Sequence, residues 1–359
     1  MTIVELFDNE IMDNVVGTLC LKPQRAVILY TGEKDKAFFD TLNSIIARRG
    51  MKTEILPEWV DASSVESVVK KLEDVAERFP DCDFDITGGE DMMLVAIGEV
   101  AKKLNRPMHV VDVVKNTVTG INSDVTYKTY EVKLTVEELI GLHSGRAEVA
   151  ERLKETYTWQ RDARSEEDIE KVWEICRKDP SGWNSAIGAL RGYRSDANNQ
   201  LVTIRTKLEK AGLVRKGKNG SLVYKNDVVK YLLSRQGTAL EMYTYIVAKD
   251  AGCFDDGQSG VVIDWKGKRE VENEIDCLLT KGAVGYFISC KNGMVDSNEL
   301  YKLSTVANRF GGRYAKKIVV ISQFEPDASF MERANEMGIK IVKNAKHLSK
   351  KDFKKRIVL

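Results

Sequence analysis

The sequence predicts an α/β protein made of three successive units. In the first unit short apolar strands alternate with amphipathic helices. In the second, two helices precede a hairpin pattern, and in the third a helix is followed by adjoining strands and then by further helices and strands. Strands that alternate with helices are typical of a parallel sheet covered on its faces. The 359 residues are enough for two or three domains of about 100–200 residues each.

The first unit is predicted over residues 1–146. RAVILY at 25–30 is a β-branched strand pattern, and DASSVESVVKKLEDVAERF at 61–79 has the spacing of an amphipathic helix. CDFDITGGEDMMLVAIGEVAKKL at 82–104 predicts a strand, a glycine turn and a helix, and PMHVVDVV at 107–114 predicts the next strand. We therefore expect a Rossmann-like domain whose turns follow the carboxyl ends of parallel strands.

The second unit is predicted over residues 147–235 and begins with a helical connector that extends to about residue 180. QLVTIRTKLEKAG at 200–212 is a helix pattern that ends at a glycine, and LVRKGKNGSLVYK at 213–225 is a hairpin pattern with Asn-Gly at its turn. Two helices followed by a hairpin predict a winged-helix-like module. Such a module can bind nucleic acid or serve as a rigid spacer, and the sequence leaves both roles open.

The third unit is predicted over residues 236–359. TALEMYTYIVAKDAG at 238–252 is a helix pattern, and NEIDCLLTKGAVGYFISCKNG at 273–293 contains two adjoining strand patterns. A helix pattern at 296–312 follows, and strand, helix and strand patterns complete the unit. This order predicts an α/β sandwich.

Charge is distributed unevenly along the chain, although the net charge is only +1. Residues 1–100 contain 20 Asp and Glu against 10 Lys and Arg, whereas residues 343–356 contain seven Lys and Arg against one Asp. Residues 205–235 contain two acidic residues and nine basic ones, which are Arg205, Lys207, Lys210, Arg215, Lys216, Lys218, Lys225, Lys230 and Arg235. A polyanionic partner is therefore expected to meet the C-terminal half, although solvated helix faces would give the same pattern.

The composition argues against several classes of protein. No apolar run approaches the ~20 residues of a membrane-spanning helix, and the acidic N-terminus lacks the basic segment that begins a signal peptide. The six cysteines form no CxxC pair, and no spacing of Cys and His is typical of zinc. We expect a cytoplasmic protein with reduced cysteines and no membrane partner.

The clearest chemical pattern lies in the two strands predicted at 273–293. Side chains alternate along a strand, so residues 289 and 291 share one face, while Cys290 faces the packing. Asp276 on the first strand and Lys291 on the second can then meet across the strand pair. Carboxylates that bind Mg²⁺ or Mn²⁺ help to polarise a phosphate and activate water, and a nearby lysine stabilises the charge of the transition state. An ordinary polar hairpin is the alternative.

The order of these residues, over about 236–345, resembles the PD-(D/E)xK nuclease superfamily. In this resemblance Asp276 matches the first acid, Lys291 the lysine, and Glu241 in TALEMY the helix glutamate that joins the metal site. Glu241 and Asp276 are then the expected ligands of Mn²⁺ or Mg²⁺. Ser289 stands where the superfamily usually has Glu or Asp, which removes one charged ligand, although a hydroxyl can still coordinate weakly or hold a metal-bound water. Weaker candidates are Glu274 and Glu299.

Two turns that contain glycine follow predicted strands of the first unit. YTGEKD carries Thr31 and Gly32, and DITGGEDMM carries Thr87, Gly88 and Gly89 before a helix. Glycines permit close approach of a ligand, and a helix N-terminus offers N–H groups to a phosphate. Neither GxGxxG nor GxxxxGK[ST] is present, which argues against dinucleotide binding and ATP hydrolysis. Tight-turn geometry without a ligand is the simpler alternative.

The motifs together are more specific than any one of them. CLKPQRAVILYTGEKDKAF, FDITGGEDMM, a basic middle unit and NEID…FISCKNG, in this order, resemble the CARF-domain ancillary nucleases of type III CRISPR systems. Members of that family join an N-terminal CRISPR-associated Rossmann fold to a C-terminal PD-(D/E)xK nuclease. The resemblance spans nearly the whole chain.

This resemblance implies a homodimer whose two CARF domains bind one cyclic oligoadenylate, with cyclic tetra-adenylate as the first expectation. Family members cut single-stranded RNA, single-stranded DNA or supercoiled DNA with Mn²⁺ or Mg²⁺. The residues that match the ligand loops are Thr31, Gly32, Thr87, Gly88 and Gly89.

The second ligand loop departs from the family pattern. The family often has TGGTKxM, whereas Glu90 and Asp91 stand here in place of the Thr and Lys, which removes a cation from a domain that is already acidic. Either the ligand is held by backbone N–H groups and by cations elsewhere, or the preferred ligand differs. Other residues expected near the site are Lys34, Asp112 and Lys115.

Three hypotheses about function follow. The first is a nuclease activated by cyclic oligoadenylate in antiviral CRISPR defence. The second is a nucleotide-sensing winged-helix transcription regulator with a degenerate nuclease fold, which Ser289 favours. The third is a restriction-type enzyme that needs no second messenger. The sequence does not distinguish RNA from DNA substrates, and it does not give the activator ring size.

Overall fold

We describe the fold from a computed structural model, which covers residues 1–121, 128–129, 131–143, 146–149, 166–190, 199–218, 221–265 and 272–358. The described residues form a mixed α/β structure with three sheets of seven, two and six strands. The α/β class expected from the sequence is confirmed. No helix among these residues is long and apolar enough to cross a bilayer.

The N-terminal sheet has the strand order β3-β2-β1-β4-β5-β6-β7. Its strands are β1 (Thr2–Leu6), β2 (Arg25–Tyr30), β3 (Glu54–Trp59), β4 (Cys82–Asp85), β5 (Met108–Asp112), β6 (Thr117–Ile121) and β7 (Lys128–Thr129). The first five strands in that order pair in parallel, and β6 and β7 are antiparallel. Strands β2 and β3 are added on one side of β1, and β4 and β5 on the other, so the strand order switches between β1 and β4. In open α/β sheets, ligands bind in the crevice at such a point.

Helices flank this sheet as the alternating pattern predicts. They are α1 (Ile11–Leu21), α2 (Lys36–Arg48), α3 (Val65–Arg78), α4 (Asp91–Leu104) and α5 (Val136–Leu142). Side-chain caps explain where several begin. For example, Asp35 accepts a hydrogen bond from Phe38 N at the start of α2, and Thr135 and Glu138 form a capping box at the start of α5.

The sequence pattern does not predict strand β1. This strand precedes RAVILY and lies in the middle of the sheet, with Ile3 and Val4 fully buried. TIVEL is short and carries Glu5 within its apolar pattern, which hides the strand signal. Glu5 is nevertheless buried at 1% exposure, opposite Asp85 of β4.

Among the described residues, the middle of the chain contains four helices and a short hairpin, and the predicted order of helices before a hairpin is present. Its elements are α6 (Glu166–Lys178), α7 (Pro180–Leu190), α8 (Asn199–Lys210), β9 (Val214–Lys216), β10 (Leu222–Tyr224) and α9 (Asp227–Leu232). Of the connector expected to be helical over 147–180, Glu166–Lys178 are helical, 147–149 lie in strand β8 (Arg146–Val149), and 150–165 lie outside the described residues. The predicted Asn-Gly turn, at 219–220, lies outside the described residues.

The C-terminal sheet has the order β15-β14-β13-β12-β11-β8. Its further strands are β11 (Asp256–Asp264), β12 (Glu272–Lys281), β13 (Val284–Lys291), β14 (Lys316–Ile321) and β15 (Ile339–Val342). The helices around it are α10 (Thr238–Lys249), α11 (Ser297–Gly311), α12 (Ala328–Glu336) and α13 (Lys350–Ile357). Strands β11 to β13 are antiparallel and β13 to β15 are parallel, so the predicted order of helices and strands is confirmed.

A single apolar core joins the N-terminal helices to one face of the C-terminal sheet. Met12 and Val15 of α1 belong to the same buried cluster as Val261 of β11, Phe287 of β13 and Phe310 of α11. The opposite face of the C-terminal sheet packs on α10 and on the middle helices. The two sheets are therefore connected by packing as well as by the chain.

Candidate active site and activator turns

The pair Asp276 and Ser289 lies where β12 and β13 run side by side. Cys277 pairs with Ile288 in the antiparallel register, which sets Asp276 across from Ser289. Asp276 Oδ2 accepts hydrogen bonds from Cys290 N at 2.6 Å and from Ser289 Oγ at 3.3 Å. Burial raises the pKa of Asp276, and the Cys290 N–H and the charge of Lys291 oppose that shift.

Lys291 ends β13 and is held by the first turn of α11. Its Nζ lies 2.8 Å from Glu299 Oε2, and Lys302 Nζ lies 3.6 Å from the other oxygen of the same carboxylate. Burial acts to lower the pKa of Lys291, but the hydrogen bond to Glu299 and the charge of Asp276 outweigh it, so the pKa is raised. Lys291 is therefore a fixed, charged ammonium beside Asp276.

Glu241 approaches from the other face of the sheet. It lies in the first turn of α10, and Thr244, one turn later, is 3.5 Å from Cys290 Sγ. An ideal Cβ built on Gly237 would lie 2.7 Å from Glu241 Oε1, so the carboxylate folds over the start of its own helix. Cys290 faces this helix, as the alternation of side chains predicts.

The candidates therefore divide into two groups. Asp276 accepts from Ser289 Oγ and Cys290 N, and Lys291, the next residue along β13, pairs with Glu299. Glu274 pairs with Arg235 at 3.7 Å instead. Glu299, the weaker candidate from the sequence, thus contacts the predicted lysine directly.

A buried amide network next to Lys291 was not predicted. Asn292 is 5% exposed, and its Nδ2 donates to Asn184 Oδ1 at 2.9 Å and to Gln236 O at 3.2 Å. Asn184 Nδ2 donates in return to Asn292 O at 2.9 Å. The only signal in the sequence is a polar residue between the lysine and a glycine, in CKNG. The network fixes the end of β13 against α7 of the middle unit.

The donor atoms at this site suit a hard cation held by few protein ligands. Asp276 supplies a carboxylate and Ser289 a hydroxyl, and both are oxygen donors of the kind that Mg²⁺ and Mn²⁺ prefer. No group of three or more His, Cys, Asp or Glu side chains in the described part of the chain is arranged to hold a metal ion. Mg²⁺ commonly uses only one or two carboxylates and retains several waters, so the residues fit such an ion.

The Thr87–Gly89 turn follows β4, at the crevice between β1 and β4. Gly89 has φ +118°, and an ideal Cβ there would lie 2.6 Å from Leu6 Cδ1, so both backbone geometry and space require glycine. Asp85 Oδ1 accepts from Thr87 N at 2.8 Å, and Asp8 Oδ2 accepts from Gly89 N at 3.1 Å. Two N–H groups expected to face a ligand are thus already bonded to carboxylates.

The other predicted ligand residues lie along the same edge of the sheet. Thr31 and Gly32 follow β2, where Gly32 has φ +63° and nothing within 4 Å of an ideal Cβ. Lys34 Nζ lies 5.2 Å from the ring centre of Phe39. The remaining residues are Glu90 and Asp91, both exposed at the start of α4, and Asp112 and Lys115, which form an ion pair of 3.0 Å after β5.

The segment that carries Asp276, Ser289 and Lys291 matches a known family. Residues 229–356 fit the family model described as Card1-like, endonuclease domain. This segment of the chain is therefore similar to a Card1-like endonuclease domain. The resemblance to CARF-domain ancillary nucleases of type III CRISPR systems, expected from the order of motifs, is confirmed by this match and by the structural similarity below.

Two solved structures share the fold over nearly the whole chain. Can2 from Sulfobacillus thermosulfidooxidans, solved in complex with cyclic tetra-adenylate, is 18% identical with a TM-score of 0.76, and the match covers 100% of this chain and 99% of Can2. Protein VC1899 from Vibrio cholerae is 16% identical with a TM-score of 0.77, covering 99% of this chain and 96% of VC1899. No curated protein matches the sequence. The segment 229–356 thus lies within a fold that these proteins share.

Proposed function

We propose that the protein is a nuclease activated by cyclic oligoadenylate, with cyclic tetra-adenylate as the first candidate, that cuts RNA or DNA with Mn²⁺ or Mg²⁺ in antiviral CRISPR defence. The observation that carries this proposal is the placement of Asp276 against Ser289 and the Cys290 N–H, next to Lys291, within the segment that matches the Card1-like endonuclease domain. The likeness of the whole chain to Can2, which was solved with cyclic tetra-adenylate, supports the choice of activator.

We propose that three successive segments of the chain have different functions. Residues 1–146 form a CARF domain that senses the ligand, 147–235 form a winged-helix-like module, and 236–359 form a PD-(D/E)xK nuclease domain. Two copies would form a homodimer with one ligand on the two-fold axis, so that the ligand contacts both protomers. The ligand can shift the arrangement of the nuclease domains only by its differential affinity for the two states.

In the active site Asp276 would hold the metal ion, with the Ser289 hydroxyl as a weak ligand or as a partner of a metal-bound water, while Glu241, the second ligand that the resemblance implies, lies on the α10 side of the sheet. The ion would supply polarisation of the phosphate and a more acidic water. Lys291, kept charged by Glu299, would stabilise the negative charge that develops on the phosphate oxygens. The Cys290 N–H holds Asp276 in place, so the carboxylate is positioned before substrate arrives.

The middle unit would bind the substrate backbone. Arg215, Lys216 and Lys218 on the hairpin are exposed, and they form no ion pair with the residues that the structure describes. The amide network between Asn184 and Asn292 supports a close placement of this unit beside Lys291. Binding through phosphate contacts should weaken steeply as salt rises.

At the activator site the ligand would lie along the turns of Thr31 and Gly32 and of Thr87, Gly88 and Gly89. Glu90 and Asp91 stand at the start of α4, where they add negative charge. Cations must then come from elsewhere, and Lys34 is a candidate because its ammonium is exposed near the first turn.

The alternative is a nucleotide-sensing transcription regulator, which two observations favour: a serine at position 289 and an exposed basic hairpin. The deciding experiment incubates the full chain with supercoiled plasmid and labelled single strands under Mn²⁺, with and without cyclic tetra-adenylate. A nuclease produces cleavage that depends on the ligand. A regulator produces sequence-specific binding to duplex DNA without turnover, and cleavage that is equal without ligand would favour a restriction-type enzyme.

A further inference from the structure

Asp8 occupies the crevice between β1 and β4. Its Oδ2 accepts a hydrogen bond from Gly89 N at 3.1 Å, and its Oδ1 accepts one from Glu10 N at 3.2 Å. Gly89 immediately precedes Glu90, the N-cap of α4, so its N–H lies at the end of the helix where the peptide dipole favours anions. A carboxylate of the chain itself therefore holds an N–H that an anionic ligand would use.

The same segment continues to the Card1-like endonuclease domain. Arg313 N donates to Glu10 Oε2 at 2.6 Å, while Arg313 Nη2 and Tyr314 OH donate to the two oxygens of Asp13, each at 2.6 Å. The Asp13 side chain is fully buried. Gly312 has φ +60°, and an ideal Cβ there would lie 2.3 Å from Glu10 Oε1, so the two domains approach closely here.

Helix α11 links this contact to the candidate active site. It ends at Gly311, directly before Gly312 and Arg313, and its first turn carries Glu299, which holds Lys291. Its 15 residues extend about 22 Å. Leu303 and Phe310 of this helix are buried in the core shared with α1. Helix α11 is therefore a packed, continuous element between the α1 contact and Lys291.

We propose that Asp8 sets the affinity of the activator site by occupying the Gly89 N–H in the free protein, and that its displacement by a ligand phosphate is passed through Glu10, Asp13 and Arg313 to Lys291. This inference rests on the proposed function. The carboxylate both competes for the N–H and repels the incoming phosphate, so it keeps the site closed to weakly bound anions. Asp8 is in this sense a positioning residue that acts through α11.

The first arm of the test needs no ligand. Hydrogen exchange is measured on the full-length protein for the wild type, Asp8→Asn and Asp8→Ala, with Asp40→Asn on the exposed side of α2 as the matched control. Exchange should rise in the peptides that cover 86–92 and 312–316, more in Asp8→Ala than in Asp8→Asn, because alanine removes both acceptors. A rise limited to 86–92 would overturn the connection to Arg313, and no rise in either peptide would overturn the role of Asp8.

The second arm measures equilibrium binding of labelled cyclic tetra-adenylate. Asp8→Asn should bind about tenfold more tightly than the wild type, since a competing charge is removed, and equal or weaker binding contradicts the competition. Arg313→Gln should bind like the wild type but lose most of the stimulation of cleavage, and Arg313→Lys should restore part of it. If no variant binds the ligand, the proposed function fails, and the exchange arm alone decides the link from Asp8 to Arg313.

Discussion

Asp276 Oδ2 accepts a 2.6 Å hydrogen bond from the backbone N–H of Cys290, the residue between Ser289 and Lys291. This bond fixes the carboxylate to the strand that carries the lysine, so their relative position does not depend on a flexible side chain alone. Asp276 would also bind the metal ion through its negative charge. A substitution that removes the charge but keeps an acceptor oxygen for Cys290 N–H therefore separates the chemical role from the structural one.

Asp276→Asn is that substitution. The amide oxygen can still accept from Cys290 N–H, but the charge is lost, so cleavage should fall by about 100-fold or more. Burial raises the pKa of Asp276, which means that its ionised form costs stability near neutral pH. The variant should therefore unfold at the same temperature as the wild type or higher. Asp40→Asn should change neither quantity, and a cleavage rate for Asp276→Asn close to that of the wild type would contradict the assignment.

Ser289→Asp restores the carboxylate that the resemblance leads one to expect. Two adjacent carboxylates repel one another, so the melting temperature without metal should fall below that of the wild type. Mn²⁺ or Mg²⁺ should recover that loss, and half-maximal cleavage should need less metal ion. Differential scanning fluorimetry across a metal titration measures the first effect, with Ser289→Ala as control. A metal response identical in both variants would mean that residue 289 does not face the ion.

The stability of the N-terminal sheet should depend on Asp85. Burial raises its pKa from 3.8 to about 6; hydrogen bonds from Thr87 and the charge of His109 oppose this shift, while Asp13 adds to it. Glu5, its neighbour on β1, also has a raised pKa because it is buried. Between pH 3.8 and about 6 the unfolded chain releases the Asp85 proton and the folded chain keeps it, so stability falls as pH rises through this window.

Asp85→Asn should remove that contribution while keeping an oxygen that accepts from Thr87. Denaturant unfolding of the wild type and the variant at pH 4.5, 6 and 7.5 measures the difference. The loss of stability with rising pH should be smaller in the variant. The free energy of unfolding of the variant should exceed that of the wild type by its full amount above about pH 6. Parallel curves for the two proteins would show that Asp85 titrates normally.

The basic hairpin of the middle unit should carry part of the salt dependence of substrate binding. Replacing both Arg215 and Lys216 with alanine should weaken substrate binding and reduce the slope of log affinity against log salt by roughly 1 to 2. Lys70→Ala on the exposed face of α3 is the matched control. An unchanged slope in the double variant would assign this unit a spacer role.

The sequence predicted the local geometry of the strand pair better than the long-range contacts of the chain. Asp276, Ser289 and Lys291 could be placed together because side chains alternate along neighbouring strands, a short-range rule. Strand β1 was missed because Glu5 interrupts its apolar pattern and is compensated only by distant residues such as Thr18. The contacts of Asp8 with Gly89 and of Asp13 with Arg313 join positions far apart in the sequence, and no local pattern specifies them.

The most direct test of the central claim compares single-turnover cleavage by the wild type, Lys291→Ala and Lys281→Ala, each with saturating cyclic tetra-adenylate and Mn²⁺. Lys281 is exposed at the far end of β12, so it controls for the loss of a lysine from the same strand pair. We predict that Lys291→Ala loses at least about 100-fold in rate while Lys281→Ala retains the wild-type rate. Equal rates in all three proteins would contradict the claim that Lys291 and Asp276 form the nuclease site.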